Sequence, residues 1–160
     1  MKYFLAALVF MSAINLSYAE SGAGWATATS VEKSTGRVMI FRYIRDFAPQ
    51  FLRSDYPDRV IIVWQYQSAS GMPQQAEREN MDRLEDLLSS KLEAASLATL
   101  ALVSTGENMR EWIYYTKSEA DFIAQLNSAL GNKEPFPIET HAAPDPEWKS
   151  YEDFRAGVRE

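Results

Sequence analysis

The chain contains no cysteine, which excludes disulfides, thiolate metal sites and cysteine nucleophiles. It has a single histidine, His141, so no site that needs two imidazoles is open to it. Cationic surface is scarce as well. The 16 Lys and Arg stand against 22 Asp and Glu, a net charge of -6, and this balance argues against a nucleic-acid partner. Catalytic signatures are missing: there is no G-x-S-x-G, no H-E-x-x-H and no P-loop. Gly71-Met72-Pro73 is a turn before a helix, without the glycine spacing or the following lysine of a phosphate cradle. No cofactor and no metal ion is implied by what remains.

The 160 residues are 46% hydrophobic and 24% charged, the composition of one globular domain. The N-terminus reads MKYFLAALVFMSAINLSYAES. Lys2 supplies a positive end, Phe4 to Leu16 is mostly apolar, and the small residues Ser17 and Ala19 bracket Tyr18. This is the pattern of a secretory signal peptide over residues 1–19, cleaved after Ala19. The apolar run is too short for a membrane span of about 20 residues, and no cysteine follows it to carry lipid. The expected product is a periplasmic or secreted domain over residues 20–160, with no membrane anchor after cleavage. Without disulfides, its stability must come from its core.

Trp25 to Lys33 and Arg37 to Arg45 are rich in Thr, Val and aromatics and flank Ser34-Thr35-Gly36, which predicts a β-hairpin. The segment 46–58 carries Pro49 and Pro57; its Phe47, Phe51, Leu52 and Tyr56 are expected to pack on the body. Arg59 to Gln67 is the strongest strand, continuously apolar from Val60 to Trp64. Met81, Leu84, Leu88 and Leu92 recur at spacings of three and four and predict an amphipathic helix over about 74–95. Leu97 to Ser104 and Met109 to Tyr115 follow as strands around the turn at 105–108. A second helix begins at Glu119 behind Thr116. Phe136 to His141 reads as an edge strand between prolines, and 144–155 as a closing turn and short helix.

From 59 to 141 the order is βαββαβ, that of a ferredoxin-like antiparallel sheet with two helices on one face. The fold class is α+β, with the N-terminal hairpin as an extension. In that order the uncharged strand 97–103 falls at a sheet edge, which natural proteins protect. Strand 37–45 is expected to cover it; self-association through the same edge is the competing arrangement.

Trp64 and Tyr66 share one strand face, and so do Trp112 and Tyr114. On neighbouring central strands they make a candidate binding patch on the face away from the helices. The favoured alternative is that they are core beneath the hairpin or the tail, because a large bare aromatic face is a solubility problem. His141 is a possible general base, but an ordinary surface residue at a strand end is the better reading. Glu107, Glu111, Asp145, Glu147, Glu152 and Asp153 are the carboxylates that could pair. Such a pair does acid–base work only if burial separates the two pKa values.

Three segments carry a resemblance: Val60–Tyr66 followed by Gly71-Met72-Pro73, the strand Arg110-Glu111-Trp112-Ile113-Tyr114-Tyr115, and the closing Asp145-Pro146-Glu147-Trp148–Tyr151. Together they are similar to a bacterial family termed domain of unknown function 695, over roughly Trp25 to Phe154. The resemblance implies a small α+β domain and transfers no activity or catalytic residue. The leader is a departure, since many relatives look cytoplasmic. The sequence therefore points to an exported, non-enzymatic domain that binds a protein or a small ligand. A carboxylate-based hydrolase or transferase is the alternative, and a buried cluster among Glu107, Glu111, Asp145 and His141 around a pocket would favour it.

Overall fold

A computed structural model describes residues 23–131 and 136–159; the expected leader, 1–19, lies outside the described residues. Among these the elements are β1 (Gly24–Val31), β2 (Val38–Asp46), β3 (Asp58–Gln65), α1 (Gln75–Leu88), β4 (Ala98–Gly106), β5 (Met109–Thr116), α2 (Glu119–Leu130), β6 (Ile138–Pro144) and α3 (Lys149–Gly157). The strands form one six-stranded sheet in the order β1-β2-β4-β5-β3-β6, and every neighbouring pair is antiparallel.

Side chains alternate between the two faces of a strand, and each face of this sheet has its own cover. Val60, Ile62, Trp64 and Tyr66 point to one face, with Trp112 and Tyr114 of β5, and pack with Met81, Leu84, Leu88, Phe122 and Leu126 of α1 and α2. Opposite, Ala101 and Tyr115 meet Tyr56, Trp148 and Tyr151, with Phe47 and Phe51 against them. Beside that cluster, Ala28, Tyr43 and Leu102 meet Phe154 of α3. Of the aromatics and Leu52 expected to anchor 46–58, only Leu52 stays out, at 59% exposed.

β4 lies inside the sheet, flanked by β2 and β5. Arg42 stands opposite Val103 and Tyr43 opposite Leu102. A register shift between Leu100 and Leu102 inserts one extra residue. Leu100 and Val103 therefore face α1 and α2, whereas Ala101 and Leu102 face the other way. Burial on both faces is why this run is uncharged.

The first helix ends sooner than its apolar spacing predicts. It leaves α-geometry at Leu88, and Ser89–Glu93 forms a wider π-type turn that keeps Leu92 buried. Glu93 then fastens β4, accepting from the Ser89 hydroxyl at 2.8 Å and from the Leu100 N–H at 2.9 Å. β6 starts two residues later than expected and runs on to Pro144. The β4–β5 turn requires its glycine: Gly106 has φ +149°, and a Cβ there would lie 2.6 Å from the Val38 carbonyl oxygen.

Candidate functional site

The aromatic quartet is core, as the favoured reading of it has, and not the open patch of the other. Trp64, Tyr66, Trp112 and Tyr114 do share a face, but that face lies beneath α1 and α2. All four are at most 8% exposed, so they form no open patch. Alternation dictates which residues face together, not which face the helices take. Burying the bulkiest apolar row under the helices removes the most apolar surface from water. The two indoles also pin α1. Trp64 Nε1 donates to Glu77 Oε1 at 2.5 Å, and Trp112 Nε1 to Glu85 Oε2 at 2.8 Å. Tyr66 donates its hydroxyl to the Gly71 carbonyl at 2.9 Å, and burial pushes its pKa up to about 12.

The suspected acid–base residues are not brought together. His141 is exposed on β6, its Nε2 3.8 Å from Glu139 Oε2. Glu107 pairs with Arg37 at 3.1 Å, and Glu111 accepts from the Ser104 hydroxyl at 3.2 Å. Glu152 and Asp153 pair with Arg53 and Lys149 on the surface. Asp145 is buried, but it fastens structure. Its carboxylate accepts from the Lys149 N–H at 2.7 Å, the Ser150 N–H at 3.0 Å and the Tyr115 hydroxyl at 2.8 Å. It thereby satisfies the first two N–H groups of α3, which have no partner within the helix. Trp148, in the left-handed region at φ 55°, stacks on Tyr115 with centroids 3.8 Å apart. Its Nε1 donates to the carbonyls of Arg53 and Tyr56. The closing Asp145-Pro146-Glu147-Trp148 is thus a clasp that holds α3 to the sheet.

The open site lies elsewhere. On the face toward α1, the β1–β2 pair extends past the helix and forms a shelf. A cavity of about 450 Å³ opens between shelf and helix, within the size range of ligand pockets. Its floor is Thr27, Ile40, Val103 and Thr105, and α1 contributes Asp82, Glu85 and Asp86. Two arginines complete it. Arg110, whose side chain is 11% exposed, donates from Nε to Thr105 Oγ1 at 3.0 Å and pairs with Asp82 at 3.0 Å. Arg42 pairs with Glu85 and lies 5.1 Å from the centre of the exposed Trp25 ring. Glu85 is therefore held by an indole N–H and a guanidinium together. Glu107, Glu111, Asp145 and His141 line neither this cavity nor a second one of about 170 Å³ beside Tyr66 and Glu77.

The sequence reading missed Arg42, Arg110, Asp82 and Glu85. The available signal was the single arginine of the aromatic-rich strand MREWIYY, Arg110. Arg110 is buried, so its charge needs an anion, and Asp82 of α1 supplies it; Arg42 is exposed and carries no such signal. Among the described residues, no three His, Asp or Glu side chains gather as a metal-ligand set. No helix among them is long and apolar enough to cross a membrane.

This is an α+β domain with an open, mixed-charge groove. Residues 25–155 match the family described as a family of unknown function, DUF695, and the chain belongs to it. No curated protein and no solved structure matches the chain.

Proposed function

We propose that this protein is an exported, non-enzymatic binding domain that takes its ligand in the groove between α1 and the β1–β2 shelf. The fold reading beneath it is a ferredoxin-like unit from β3 to β6, extended by an N-terminal hairpin. The order β4-β5-β3-β6 within the sheet supports that reading. The observation that carries the function is the groove itself. It sets guanidinium and carboxylate groups side by side over a floor of threonine hydroxyls and aliphatic carbons. Such a surface suits a ligand that carries both charges and a short apolar part, as a small peptide does. The acid–base alternative gains no support, because its four residues have separate partners on separate elements.

Titration of the isotope-labelled protein with a panel of dipeptides and tripeptides, read by NMR, tests this. At least one probe should perturb the amides of Thr27, Val103 and Arg110. Arg42→Ala, an exposed position, should weaken that binding about tenfold, a loss of about 1.4 kcal/mol. Perturbations confined to other surfaces, or an affinity indifferent to Arg42, would overturn the assignment.

A further inference from the structure

Covering β4 with β2 hands the edge problem on to β1. Among the described residues, β1 and β6 are the two edges of the sheet, and they differ sharply. β6 ends in Pro144, follows Pro137 and carries Glu139 and His141, which are the usual guards against pairing. β1 runs GWATATSV, eight residues without a charge or a proline, and its one register shift lies at its start, between Gly24 and Trp25. Trp25, Val31 and Ile40 are exposed at 41%, 38% and 38%, and all three lie on β1 or β2.

We propose that β1 pairs antiparallel with β1 of a second copy about a two-fold axis, centred on Ala28. The Glu32 N–H donates to the Arg37 carbonyl and closes the β1–β2 turn. By antiparallel alternation, even-numbered residues of β1 direct their backbone groups at β2 and odd-numbered ones direct theirs outward. Centring on Ala28 sets odd against odd: Trp25 faces Val31 of the other copy, and Thr27 faces its Thr29. The outward donors and acceptors then find partners, and two exposed apolar side chains meet on the same face. Charge selects the same place. Two chains of net charge -6 repel, and β1 offers a contact with no acid in it. The two-fold contact closes on itself and leaves only the guarded β6 edges outside, so it does not propagate into fibres.

Such an axis stands perpendicular to the sheet, so both shelves lie on one side and merge. The result is a single trough walled by the two α1 helices, each contributing Arg42, Asp82 and Glu85. The pairing rests on the edge alone. The trough then takes an extended peptide where one groove takes a short one, and that use of it rests on the function proposed above.

The protein as recovered from an expressing cell should sediment at twice its chain mass at micromolar concentration. The amides of Thr27, Thr29 and Val31 should exchange slowly, although β2 does not protect them. The paired change Thr27→Lys and Thr29→Lys places like charges directly opposite across the axis. It should give a monomer with an unchanged circular dichroism spectrum. A monomeric parent, a dimer that survives the two lysines, or fast exchange at the three amides would each overturn the pairing. A dimer that ignores every peptide would instead remove the groove reading and leave the pairing intact.

Discussion

Asp145 shows how much one carboxylate can hold. Burial alone would raise its pKa, but the Ser150 N–H, the Tyr115 hydroxyl and the Lys149 N–H outweigh burial and leave it below the ordinary carboxylate value. The same bond acts on Tyr115 in the opposite sense: burial, followed by the Asp145 carboxylate, drives that phenol well above its usual range. A folded-state pKa below the unfolded one means that the ionised form stabilises the fold. The contribution is complete above the unfolded value of about 3.9 and is lost as pH falls from there through the lower folded value. Asp145→Asn should cost about 1–3 kcal/mol at neutral pH, because one buried donor is left without an acceptor. It should also flatten the decline in stability below about pH 4. Urea unfolding of both proteins at neutral and acid pH checks this, and an equal acid loss in the two would exclude Asp145 as a source.

At the scale of the element, α1 is the part most directly written in the chain. Its spacing of Met81, Leu84 and Leu88 places all three in the core with no measurable exposure. Leu88→Ala should therefore cost about 2–5 kcal/mol, the range for removing a buried leucine. A loss under about 0.5 kcal/mol in denaturant unfolding, the usual surface value, would show that α1 does not bear on the sheet as described. The same spacing overshot the end of the helix. Leu92 continues the pattern, and a π-type turn serves it as well as an α-turn because both keep that side chain buried. Periodicity reports which side chains seek the core; it does not report the hydrogen-bond ladder that takes them there.

For the molecule as a whole, the expected export bears on the core. A cysteine-free chain entering an oxidising space has no covalent staple to add. The two covered faces of the sheet must then supply the stability. Export itself is a prediction from the N-terminus. Expressed in a Gram-negative host, the protein should be recovered from the periplasm with Glu20 as its first residue by mass spectrometry. A full-length product confined to the cytoplasm would overturn it.

The α+β class, the six strands, the two long helices and the closing helix were legible in the chain, because each depends on local period and turn chemistry. The sharing of one face by Trp64 and Tyr66 was legible for the same reason. Which face that is was decided by packing, since α1 and α2 must return over the sheet on one side and the bulkiest row is best buried beneath them. The clasp around Asp145 and Trp148 was visible as a motif, but its partners Tyr115, Arg53 and Tyr56 lie 30 to 95 positions away. Of the groove, only the need of Arg110 for a counter-charge was legible. Arg42 and Glu85 are 43 positions apart and Asp82 and Arg110 are 28 apart, and nothing local to any of them requires the other. The sequence determined which residues must be buried and which must find a counter-charge. Only the tertiary structure chose the partners, because ion pairs and cavities form between surfaces that meet after the chain has folded back on itself.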